Sequence, residues 1–140
     1  MKDKVFLDTN IILYQFSNDT SKKNRAIDIL DEATKSSKYT ISYQVIQEFS
    51  NVALNKNKGY FSTNELKTYI KDILMPLCKF YPGPSFYIDS LKLKEKYRYA
   101  YYDTLIIAAA LELKCTKLFS EDLQANQKIE SLEIINPFKK

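Results

Sequence analysis

At 140 residues the chain has the length of one domain with room for a single substantial core. Its 45% hydrophobic and 27% charged content excludes a disordered or fibrous chain, and 21 basic against 17 acidic residues leave a modest +4. With no histidine there is no Ser-His-Asp triad, no imidazole base and no His-ligated zinc, and two distant cysteines, Cys78 and Cys115, make no thiolate site, so catalysis would fall to carboxylates and hard cations.

In chain order, "KVFLD" (4–8) is a continuous apolar run ending in a carboxylate, the pattern of a short strand buried on both faces. Ala26, Ile29, Leu30 and Ala33 keep helical spacing and predict a helix over about 22–36. "KYTIS" (38–42) reads as a second strand, followed by a helix from about 43 to 56. A further helix opens on the capping box "STNE" (62–65), carries the stripe Leu66, Tyr69, Ile70, Ile73, Leu74, and should stop at Pro76. "LCKFY" (77–81) is a third strand candidate, and Pro84 suits the first turn of a helix reaching about 97. "DTLIIAAALEL" (103–113) is apolar almost all round and predicts a buried helix opened by Asp103. "TKLFS" (116–120) and "LEIIN" (132–136) close the chain as strands.

This alternation predicts a single domain over 1–140, an α/β sandwich with a mainly parallel sheet of four to five strands. No apolar run approaches the roughly 20 residues that would span a bilayer, and the N-terminal apolar stretch is too short for a secretory signal. A cytoplasmic location without membrane contact, with both cysteines as free thiols, is the expectation.

In such sheets functional groups gather just past the carboxyl ends of strands. Asp8 follows the first strand, Asp122 in "LFSED" follows a later one, and Asp103 heads the buried helix. Each alone could be a helix cap contributing about 1 kcal/mol. Glu48 is less easily explained. In "QVIQEFSNVAL" the stripe Val45, Glu48, Phe49, Val52, Ala53 sets a carboxylate where the helix should meet the sheet. It calls for a proton or a cation, the latter a lysine or arginine, or a metal shared with the other acids. Clustered carboxylates repel one another, and a divalent cation removes that penalty while activating water against a phosphodiester. Thr9, Asn10 and Ser120 lie beside these acids as neutral hydrogen-bonding partners. Lysines and arginines gather in 21–25, 55–59 and 92–98, the last running into "KYRYAYY". Lys22, Lys23, Arg25, Lys96 and Arg98 could guide a polyanion, and solvated helix faces explain them too.

"FLDTNIIL" (6–13), "QEF" (47–49), "YYDTLIIAAALE" (101–112) and "LFSEDLQ" (118–124) followed by "INPF" (135–138) resemble the PIN-domain ribonucleases, and most closely the VapC-type toxins of toxin–antitoxin pairs. The resemblance runs over 3–138 in the family's order. It implies a three-layer α/β/α sandwich and Mg²⁺- or Mn²⁺-dependent cleavage of RNA, with Asp8, Glu48 and Asp103 as the recurrent acids, Asp122 as the more variable fourth, and Glu121 beside it able to share or take that fourth role. It also implies a homodimer and a cognate antitoxin that occludes the acidic pocket. Two other readings stand beside it: a non-catalytic RNA-binding or assembly module of the same fold, and a DNA-directed nuclease. Clustered negative charge facing phosphate gives a pure binder nothing, and the small size disfavours the DNA enzymes.

Overall fold

The computed structural model describes residues 3–55 and 60–139. Strand β1 (Val5–Leu7) runs into the short helix α1 (Thr9–Leu13), and a single 3₁₀ turn (Tyr14–Phe16) leads to α2 (Thr20–Lys35). Strand β2 (Tyr39–Ser42) passes without a loop into α3 (Tyr43–Ala53). Helix α4 (Thr63–Tyr69) continues through a π turn (Ile70–Leu74) into α5 (Met75–Leu77), and β3 (Cys78–Phe80) follows directly. Helices α6 (Pro84–Tyr97) and α7 (Tyr101–Glu112) precede β4 (Lys117–Phe119), β5 (Lys128–Ile129) and β6 (Leu132–Ile135).

The strands form one six-stranded sheet in the order β3-β2-β1-β4-β6-β5, parallel throughout except where β5 meets β6. That is one strand more than the sequence leads one to expect, because β5 is two residues long and carries no periodicity. Crossovers from β1 to β2 to β3 run one way along the sheet, and the crossover from β3 to β4 runs back past β1. Right-handed crossovers therefore place α1–α5 on one face and α6–α7 on the other, which is the expected α/β/α sandwich. The strand order reverses between β1 and β4, so the crevice in which such sheets carry their sites opens at the carboxyl ends of these two strands.

Phe6, Leu7, Ile11, Ile12, Ile41, Phe49, Leu118 and Ile134 fill the core without solvent exposure. Helix α7 is buried along most of its length, as its apolar composition requires. The capping box is complete: Ser62 accepts from the Glu65 N–H at 3.1 Å, and Glu65 accepts from the Ser62 N–H at 2.8 Å. Three boundaries differ from expectation. The helix through Pro76 ends one residue beyond it, because the widened turn at 70–74 absorbs the hydrogen bond that proline cannot make. Helix α7 begins at Tyr101, so Asp103 lies within its first turn and does not cap it. Helix α3 closes at Ala53, short of position 56. The basic run 55–59 falls, apart from Asn55, outside the described residues. Cys78 and Cys115 are buried free thiols.

Candidate active site

Four segments that are distant in sequence meet at the carboxyl ends of β1 and β4. In-register pairing of these strands (Leu7 with Phe119) makes the next residues, Asp8 and Ser120, neighbours, and the Asp8 N–H extends the ladder to the Phe119 carbonyl at 3.0 Å. Asp8 is the N-cap of α1, accepting from the Thr9 N–H at 2.8 Å through one oxygen. Its second oxygen accepts from Ser120 Oγ at 2.8 Å. Asp8 thus caps α1 through one oxygen and reaches the end of β4 through the other.

Glu48 reaches the same place from the second turn of α3. Thr9 Oγ1 donates to its Oε1 at 2.5 Å, and Gln44 Nε2 donates to its Oε2 at 3.1 Å and to the Tyr102 carbonyl at 3.2 Å. Gln44 thereby ties α3 to the start of α7, beside Asp103. Gln44 was not singled out in the sequence; its position one turn before Glu48 on the same face was the available signal. Asn10 bridges the other side: its Nδ2 donates to Asp122 Oδ2 at 3.1 Å and to Ser120 Oγ at 3.4 Å, and its Oδ1 accepts from the Glu121 N–H at 3.2 Å.

Asp8, Glu48, Asp103 and Asp122 all line one cleft of about 220 Å³, completed by Thr9, Asn10, Leu13, Val52 and Ile106. Among the described residues the ion pairs are Lys22–Glu121, Lys35–Asp31 and Lys96–Glu130, so no lysine or arginine neutralises any of the four acids. Burial pushes the Asp8 carboxyl up to about 6. The hydrogen bonds from Ser120 and Thr9 work against that rise, and the charges of Glu48 and Asp103 add to it. Asp103 is raised too, by burial and then by Asp122 and Glu48. The acids therefore feel one another across the cleft.

Glu121 is placed elsewhere. Lys22 pairs with it at 2.7 Å, the Tyr14 hydroxyl donates to it, and together they hold it below its ordinary value against the opposing effect of burial. Asp122, exposed at the cleft mouth, is the carboxylate of that pair that faces the other three acids. The remaining basic candidates stand off from the cleft. Arg25 donates to the Pro137 carbonyl at 3.2 Å, Lys96 pairs with Glu130 at 3.2 Å, Lys23 is exposed, and Arg98 terminates α6 in a left-handed conformation (φ 62°).

Among the described residues, no three acidic side chains already stand at the spacing that would enclose one ion. The chemistry of the lining nevertheless fits a hard divalent cation: carboxylate, carboxamide and hydroxyl oxygens supply the donors, and no lysine or arginine among the described residues is paired with the acids.

A family model for the PIN domain matches residues 5–129. No curated protein matches the chain significantly. Among solved structures, the fold is similar to a toxin–antitoxin complex from Klebsiella pneumoniae at TM-score 0.67 and 19% identity, over 96% of this chain and 98% of that one. It is similar to FitAcB from Neisseria gonorrhoeae at TM-score 0.61 and 20% identity, over 96% and 98%. A third likeness is to FitAB bound to an IR36 DNA fragment, at TM-score 0.67 and 18% identity, over 97% and 96%.

Proposed function

The chain belongs to the PIN-domain family, and with the acidic cleft as the second premise we propose that it is a Mg²⁺- or Mn²⁺-dependent endoribonuclease hydrolysing RNA phosphodiester bonds. PIN domains are generally nucleases. The observation that carries the reading is the convergence of Asp8, Glu48, Asp103 and Asp122 on one cleft with no lysine or arginine of the described residues paired to any of them.

In this reading Asp8, Glu48 and Asp103 hold the cation and Asp122 completes the site from its rim. When bound, the cation offsets the clustered negative charge and polarises water and phosphate oxygens. The rest is done by the chain's own groups. Ser120 and Thr9 each fix one carboxylate oxygen, so the acids are oriented before any ligand arrives. Gln44 holds the far oxygen of Glu48 against the head of α7. Asn10 keeps Asp122 and the 120–123 turn in register with α1. Leu13, Val52 and Ile106 form an apolar wall, which strengthens electrostatic interactions inside the cleft.

Incubating RNA with the purified protein and Mn²⁺ tests this: cleavage should be lost in Asp8→Asn and in excess chelator. Equal cutting by the mutant would defeat the assignment. Competition between RNA and DNA substrates tests the nucleic acid; preferential cutting of DNA would replace the RNA reading.

The chain is further read as the toxin of a type II toxin–antitoxin system, acting in the cytoplasm, with an antitoxin protein as partner. The likeness to a Klebsiella pneumoniae toxin–antitoxin complex over nearly the full length of both chains supports it. A small DNA-binding protein encoded immediately upstream that suppresses the cleavage is the expected finding. Homodimerisation is part of the same reading, supported by exposed Tyr81, Ile88 and Leu91, and light scattering of the purified protein measures it.

A further inference from the structure

A second groove of about 630 Å³ adjoins the acidic cleft and shares Asn10, Leu13, Val52 and Asp122 with it. Tyr14, Phe16, Ser17, Asn18, Asp19 and Tyr60 supply the rest of its lining. Phe16 and Tyr60 are stacked, with ring centroids 5.4 Å apart and planes inclined by 30°. We propose that this groove is a nucleobase subsite, receiving one base next to the phosphodiester held at the acidic cleft. The inference rests on the reading of that cleft as a nuclease site.

Charge decides which part of a nucleotide enters. None of the described lining residues is basic, and Lys22, which lies over the Tyr14 ring, is paired with Glu121, while the groove carries Asp19 and Asp122, so a phosphate would meet repulsion from both. An uncharged planar base meets aromatic surface instead. Every base has a face that stacks on tyrosine or phenylalanine, so such contacts bind single strands with little dependence on sequence. Asn18 adds an edge. It is exposed and makes no hydrogen bond with the described residues, so its carboxamide offers a donor and an acceptor to the rim of a base. Asp19 is less free, being engaged at the N-terminus of α2 by the Lys22 N–H at 3.2 Å. Because the two grooves share a wall, a base on the Phe16–Tyr60 side would set the adjoining phosphate at the acids.

The chain contains no tryptophan, so Tyr60→Trp creates a single fluorescent reporter in the groove. In an Asp8→Asn background, which prevents cutting, trinucleotides with Mg²⁺ present should quench the indole saturably. The same trinucleotide with an abasic central position should bind roughly 5- to 150-fold more weakly, the range that loss of one base stack produces. Equal binding of the intact and abasic forms overturns the proposal. Quenching by an arginine-containing peptide but by no nucleotide also overturns it, and assigns the groove to a basic peptide. If the indole disturbs folding, ring-proton shifts of Phe16 and Tyr60 in the unlabelled groove, titrated with the same trinucleotides, carry the same two outcomes. Cleavage of RNA by the unsubstituted protein is scored separately, so a cutting enzyme without base-dependent binding refutes the subsite alone.

Discussion

Ser120 Oγ donates to Asp8 Oδ2 at 2.8 Å, joining residues 112 positions apart in a place that solvent does not reach on the serine side. The contact exists because β1 and β4 are paired in register and both strands end at the same level. Ser120 also accepts from the Leu123 N–H at 3.3 Å, so one hydroxyl holds both the first acid and the turn that carries the last. Ser120→Ala should therefore do two things. It should cost about 1–3 kcal/mol of stability in urea unfolding. It should also raise the proton affinity of Asp8 further, since the lost hydrogen bond favours the ionised form, and shift the acid limb of the cleavage pH profile upward. A profile that keeps its position would show that Asp8 does not govern that limb.

The metal-free protein should lose stability on going from acid to neutral pH because of Asp8. An ordinary aspartate at 3.8 is held at about 6 in the fold, so the native state grips this proton more tightly than the unfolded chain. The favourable contribution is complete below about pH 4 and is lost as pH rises through about 6, a change of about 3 kcal/mol from the two values. Asp103 moves in the same direction. Unfolding midpoints measured in chelator should show this slope for the native chain and a shallower one for Asp8→Asn. Mn²⁺ at pH 7 should restore stability only in the former.

Neighbouring carboxylates should behave differently. Glu121→Gln removes the partner of Lys22 and Tyr14 outside the acidic cleft, and Asp122→Asn removes one lining acid. Single-turnover cleavage in Mn²⁺ should fall clearly in Asp122→Asn and remain within a few-fold in Glu121→Gln. The reverse order would move the fourth acid to Glu121.

Phe49→Ala should unfold the protein most readily. The ring is wholly buried, stacks on Tyr69 at 5.1 Å and contacts Phe16 and Phe61, so truncation should cost about 3–5 kcal/mol. Phe49 follows Glu48 on α3, so calorimetric Mn²⁺ affinity should drop in the fraction that remains folded.

Much of the fold was legible because its local signals agree with one another. The apolar run of β1, the capping box at Ser62, the proline opening α6 and the all-apolar α7 each specify their element by nearest-neighbour chemistry. Strand β5 was not legible: two residues cannot express a period, and its existence depends on pairing with β6 around a turn in which Glu130 takes φ 54°. The partners of the basic residues were not legible for a related reason. Lys22 pairs with Glu121 and Lys96 with Glu130, partners 99 and 34 residues away that no local pattern marks.

The sequence by itself determined which carboxylates stood out: Asp8 closing a buried strand, Glu48 on an apolar helical stripe, Asp103 in a helix with almost no other charge, and Asp122 after a strand. Those are statements about burial, and periodicity encodes burial. Only the tertiary structure decided that the four share a cleft and that Asp122 rather than Glu121 faces it, because successive side chains diverge. What each one meets is set by Lys22, Tyr14 and Asn10, which approach from more than 90 residues away along the chain.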